Sequence, residues 1–183
     1  VLMLLSLAAP AAFAGPGDRG GGNAVICKDD EGQINKVQVL DYFEARLLNS
    51  IKIDLGAPAL DYRQKIEIAL SRLQARDGDL ARRLRASAAE FEAGTSWITG
   101  ADLTPVPDSR HIFMAHKCEA VQIALQKVRK FPGEKIYYVN KEVWDLMDND
   151  SRAGLVLHEI LYRRAREQGA EDSTGARYFN SVI

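Results

Sequence analysis

Histidine is scarce in this 183-residue chain: His111, His116 and His158 are all that it has. A metal centre of the imidazole type would have to draw on these three or turn to carboxylates. A charge excess of either sign is missing too, because 24 Lys and Arg stand against 25 Asp and Glu. With no basic surplus to neutralise phosphates, the composition argues against nucleic acid as a partner. The short basic runs Arg82-Arg83-x-Arg85 and Arg163-Arg164-x-Arg166 fall in helical patterns, where a solvated face is the expected reading. No Gly-x-Ser-x-Gly elbow and no Gly-Lys-Ser/Thr loop occurs, so neither a serine triad nor a phosphate loop has support. No internal repeat is visible.

Cysteine is nearly absent, with only Cys27 and Cys118. What precedes them gives the pair meaning. Residues 1–14 are an apolar run closing on Ala12-Phe13-Ala14, the pattern of a signal-peptide h-region and cleavage site. The run is too short to span a bilayer, it lacks a basic n-region, and it opens on Val1, which suggests an alternative start or a missing piece ahead of it. An even cysteine count in an exported chain favours one disulfide, Cys27 to Cys118, over two buried thiols. The loop so closed spans roughly 90 residues, for which chain entropy predicts about 4 to 5 kcal/mol. No transmembrane span is expected in the mature chain.

Residues 15–23 hold five of the chain's 14 glycines and read as a flexible arm. Residues 24–183 then form one α+β domain, a small and mostly antiparallel sheet packed with helices. Ala24-Val25-Ile26-Cys27 and Ile34-x-x-Val37-x-Val39 flank Asp29-Asp30-Glu31-Gly32 as a hairpin. Helices are expected from Asp41 to Ile53, from Leu60 to Ala75 and from Leu80 to Gly94. Trp97-Ile98 leads to a short strand candidate at His111-Ile112-Phe113-Met114. One strand is expected over 118–128 and another at Ile136-Tyr137-Tyr138-Val139, joined by the turn Phe131-Pro132-Gly133-Glu134. Asn140 can cap a short helix, and Asp148-Asn149-Asp150-Ser151 a long one that Gly169 ends. Arg152 stands where calcium would need an oxygen, so that tetrad reads as a helix start. A last helix is expected over 173–182.

The long helix carries the one constellation with chemistry in it, His158-Glu159-x-x-Tyr162. In the zinc motif His-Glu-x-x-His, two histidines four apart share a helical face and the metal, and the glutamate between them is the general base. Tyr162 stands where the second histidine belongs. A phenol must lose a proton of pKa about 10 before it binds zinc well. His158 and Tyr162 are the candidate metal ligands and Glu159 the candidate catalytic base. His111 and His116 fall on opposite faces of a regular strand, and His116 is two residues from Cys118, so Tyr162 or a carboxylate such as Asp172 would have to complete the cage. Val156, Leu157, Ile160 and Leu161 make the adjoining surface apolar as well, so a core histidine, with Glu159 reaching Arg163 one turn on, is the competing reading. The aromatics Trp97, Tyr137, Tyr138 and Tyr178 read as core before they read as a stacking surface.

Several segments together resemble a group of small exported bacterial proteins with no established activity. They include Leu40-Asp41-Tyr42-Phe43-Glu44-Ala45-Arg46, Cys118-Glu119-Ala120-Val121-Gln122-Ile123-Ala124, Arg152-Ala153-Gly154-Leu155-x-Leu157-His158-Glu159-Ile160-Leu161-Tyr162-Arg163 and Ser173-x-x-x-Arg177-x-x-Asn180. The resemblance implies a degenerate zincin-like helix. The expectation is a periplasmic or secreted, non-catalytic binding or structural domain that needs no cofactor and meets an envelope or extracellular partner. The alternative is a zinc-dependent hydrolase or peptidase using His158 and Glu159.

Overall fold

The computed structural model describes residues 18–105 and 114–183. Strands β1 (Asp18–Arg19), β2 (Asn23–Lys28) and β3 (Ile34–Val39) come first, followed by helices α1 (Leu40–Asn49), α2 (Tyr62–Gln74) and α3 (Gly78–Glu90). Strands β4 (Thr95–Ile98), β5 (Cys118–Gln122), β6 (Ala124–Lys127) and β7 (Tyr137–Asn140) follow, then helices α4 (Lys141–Leu146), α5 (Asn149–Glu167) and α6 (Thr174–Val182). The α+β class is as the sequence predicts. The signal-peptide segment 1–14 and His111, Ile112 and Phe113 lie outside the described residues, and Met114 is in irregular structure.

The strands divide into two sheets where one was expected: β3-β2-β5, all antiparallel, and β1-β6-β7-β4, in which β4 and β7 run parallel. The division comes from a bend in one ribbon. β1 pairs with β6 and β2 with β5, and the register carries through, with Arg19 opposite Gln126 and Asn23 opposite Gln122. Between those pairs the Gly22 carbonyl accepts from both the Ile123 and the Ala124 N–H at 3.0 Å. The single strand expected over 118–128 is therefore two, one in each sheet. Glycine makes the bend feasible: a Cβ on Gly21 would lie 2.1 Å from the Ala124 carbonyl oxygen, closer than any side chain tolerates. Residues 20–23, the end of the expected flexible arm, are accordingly buried. The composition suggested freedom, whereas the residues serve close backbone approach.

Cys27 and Cys118 face each other across β2 and β5 and form the disulfide, 91 residues apart in sequence. α1 follows β3 directly and ends before Ile53, because Ser50 turns left-handed at φ 52°. An Asp61–Gln64 capping box starts α2, Asp77 caps α3, and Asn140 and Asp148 cap α4 and α5 as expected. Gly169, at φ 94°, ends α5.

α5 is the spine of the domain. Ten successive residues, 153–162, are buried, with α1, α2, α3, α6 and strands β3 and β6 packed around them. Close approach again needs glycine: a Cβ on Gly154 would meet the Tyr42 ring of α1 at 2.6 Å. Lys65 of α2, 1% exposed, bonds the Ala57 carbonyl at 3.0 Å and pairs with Asp150 in the first turn of α5 at 2.8 Å. Among the described residues no helix is long and apolar enough to cross a membrane.

Candidate functional site

His158 and Glu159 sit side by side in the buried stretch of α5, each 0% exposed. Adjacent positions on a helix point about 100° apart, so each meets a different part of the fold. His158 turns toward α1 and α6. Its Nδ1 lies 2.9 Å from Oδ2 and 3.1 Å from Oδ1 of Asp41, a carboxylate 1% exposed in the first turn of α1. The positive end of the α1 dipole favours a carboxylate there. Asn180 of α6 donates to Asp41 Oδ2 at 2.7 Å and to the Gly154 carbonyl at 2.8 Å, so one amide closes the α1–α5–α6 junction. Next to it Arg177, also buried, donates to Glu44 at 3.0 Å and to Ser173 at 2.9 Å.

Glu159 turns toward the bend in the ribbon. One carboxylate oxygen accepts from the Gly22 N–H at 2.6 Å and the other from the Gln126 amide at 2.7 Å. The same Gln126 nitrogen also donates to the Glu159 backbone carbonyl at 2.7 Å. Glu159 therefore does not reach Arg163, as the one-turn spacing suggested; it satisfies the backbone where the ribbon passes between sheets. A Cβ on Gly22 would lie 3.0 Å from that carboxylate oxygen and 2.1 Å from Leu155 Cδ1.

Burial penalises the charge on both side chains. For His158 it works against protonation, but the charge and hydrogen bond of Asp41 outweigh it, and the net direction is upward. For Glu159 burial raises the carboxyl above its ordinary value, against the pull of His158 and of the Gln126 and Gly22 donors. Nδ1 carries a proton toward Asp41, while Nε2 of His158 is buried without a hydrogen-bond partner.

Tyr162 shares the His158 stripe as the spacing predicts, with ring centroids 6.1 Å apart, and it is fully buried. The other proposed ligands are elsewhere. His116 is exposed ahead of β5, His111 lies outside the described residues, and Asp172 is exposed and accepts from the Thr174 N–H at the start of α6. Among the described residues no three or more His, Cys, Asp or Glu side chains come together as a metal cage. The donor set does not fit zinc: Nε2 is the one nitrogen of His158 left for a metal, no further His, Cys, Asp or Glu side chains join it among the described residues to make three, and two donors hold both oxygens of the glutamate.

Sequence reasoning missed Asp41, Asn180 and Gln126 as partners. Gln126 alone left a signal, a polar residue at the inward position of the Ala124-x-Gln126 alternation. Of the four aromatics, Tyr137 is in the core, Trp97 packs on Trp144 at 5.2 Å, Tyr138 lies under Lys127 and only Tyr178 is exposed. A groove of about 1060 Å³ opens between the segment after α1, the end of α2 and α6. Ile53, Leu55, Leu73 and Phe179 line it, with Arg72 and Arg76 beside them. Neither His158 nor Glu159 reaches it. Compared with protein families, curated proteins and solved structures, the chain matches none.

Proposed function

We propose that this chain is an exported, non-catalytic binding or structural domain in which the His-Glu pair of α5 is the polar core of the fold. One observation carries the reading: both side chains are fully buried, and both oxygens of the glutamate are spent on protein hydrogen bonds. A general base must reach a substrate proton, directly or through one water, and a catalytic zinc must keep a position open to substrate. Neither condition suits groups enclosed by α1, α6 and the ribbon. Export is supported by the disulfide and by the leader pattern of residues 1–14. Binding falls to the surface, and the groove beside α6 offers an apolar floor rimmed by Lys52, Arg72 and Arg76, with Asp54 3.8 Å from Arg72.

Metal analysis of the purified protein, run beside urea denaturation of His158→Ala and Glu159→Gln, tests the proposal. The expected result is no stoichiometric zinc, with both variants markedly less stable than the parent. Stoichiometric zinc lost in His158→Ala, together with a chelator-sensitive hydrolysis lost in Glu159→Gln, would establish the hydrolase instead.

A further inference from the structure

Two basic segments that lie far apart in the chain converge at one end of α5. The β6–β7 hairpin brings Lys127, Arg129 and Lys130, and the last turns of α5 bring Arg163, Arg164 and Arg166. A depression of about 260 Å³ joins them, lined by Lys127, Arg129, Arg163 and Arg166 with Glu167 as its only carboxylate. Glu167 is already shared, 2.9 Å from Arg164 and 3.6 Å from Arg163. The hairpin's own carboxylate, Glu134, folds back onto the turn to accept from the Lys130 and Phe131 N–H groups at 2.6 and 3.2 Å, with the Lys130 and Arg129 charges beside it. Arg83 of α3 extends the cationic surface, lining a second depression with Arg163 and Arg164. In a chain of net charge −1 this end is strongly positive.

The apolar residues of the hairpin tip are exposed beside these cations. Val128 is 59% and Phe131 66% exposed, and Gly133, at φ 86°, holds the turn that presents them. Cations alone would suit any anion. Cations ringed about a protruding aromatic and a valine match a surface that offers phosphates at one depth and hydrocarbon just beneath.

We propose that the β6–β7 hairpin and the end of α5 dock the protein on a bilayer bearing anionic phospholipid headgroups, Phe131 and Val128 entering the interface while the cations meet the phosphates. The surface is separate from His158 and Glu159, so the proposal stands whatever those two do.

Sedimentation of the full chain with vesicles tests it. Binding is expected to phosphatidylglycerol mixed with phosphatidylcholine, to be weak on phosphatidylcholine alone, and to fall with added sodium chloride. Each cation near an anionic surface changes affinity about fivefold, so Arg129→Gln with Arg166→Gln should weaken binding on the order of 25-fold. Phe131→Ser should also weaken it, with the melting temperature of every variant unchanged. Equal binding to both vesicle types, or binding that survives both the double variant and Phe131→Ser, overturns the proposal. So does calorimetric binding of inorganic phosphate without any vesicle binding, which would make the depression a site for a soluble anion.

Discussion

The middle and the end of α5 put charged and polar residues to opposite uses. In its middle, His158 and Glu159 are enclosed, and almost every polar atom they own meets a partner from α1, α6 or the ribbon. One turn later Arg163, Arg164 and Arg166 are only half-buried, and a single carboxylate, Glu167, is shared by the first two. The helix is continuous, so local structure does not separate the two regions. What separates them is the chain that other elements bring alongside, and the contrast predicts where substitutions will hurt.

The heaviest blow to the enclosed half should come through the ribbon that holds Gly22 against Glu159. Cys27→Ser with Cys118→Ser releases a closed loop of 91 residues, for which chain entropy predicts a loss of about 4 to 5 kcal/mol. Urea denaturation measures it, and a loss below about 1 kcal/mol would mean that the disulfide adds little to what the rest of the fold supplies. Asp41→Ala should cost about 3 to 4 kcal/mol, because it leaves His158 buried without its counter-charge and frees the Asn180 amide. Gly22→Ala should cost about 2 to 3 kcal/mol, since its new methyl would press on Leu155, itself fully buried.

Proton linkage gives the enclosed half a pH signature of its own. Glu159 and His158 both have folded pKa values raised above their ordinary 4.5 and 6.5. The folded state then binds more protons than the unfolded one. The contribution of Glu159 is whole below its unfolded value and is lost as pH climbs through its raised folded value; that of His158 behaves likewise one window higher. Stability should therefore decline from acid toward alkaline pH, read as the urea midpoint at about pH 5, 7 and 9. Glu159→Gln should flatten the lower part of that decline. Asp41→Asn, which removes the charge that holds the His158 proton, should flatten the upper part.

Much of the fold is legible because it is written in short-range terms. The caps at Asn140 and Asp148, the glycine after α5, the β2–β3 hairpin and the cysteine pair each follow from residues a few places apart or from a count. The polar core is harder to see. Asp41 reads as a helix start and lies in the first turn of α1, but nothing beside it announces that His158, 117 residues on, will lie against it. The glycines at 20–22 illustrate the difficulty most sharply. They lack side chains, so they show no periodicity, and their task appears only when Ala124 and Leu155 are in place beside them. The two basic runs lie on helices α3 and α5, as their pattern predicts, yet only the fold shows Arg83 beside Arg163 and Arg164.

The smallest effect belongs to the exposed half, and it sharpens the contrast most. Lys130 lies on the open hairpin tip, and Arg166 stacks loosely over the Tyr162 ring, its carbon 5.8 Å from the ring centre. Neither side chain supports the enclosed hydrogen bonds of Glu159 or His158. Lys130→Gln with Arg166→Gln should therefore move folding stability by less than about 0.5 kcal/mol. Because both substitutions remove positive charge from a crowded basic surface, the small change should carry a stabilising sign at low salt and vanish as salt screens the repulsion. A loss above about 1.5 kcal/mol in this double variant would mean that the end of α5 is bound into the core after all, and the division of the helix at Arg163 would have to be abandoned.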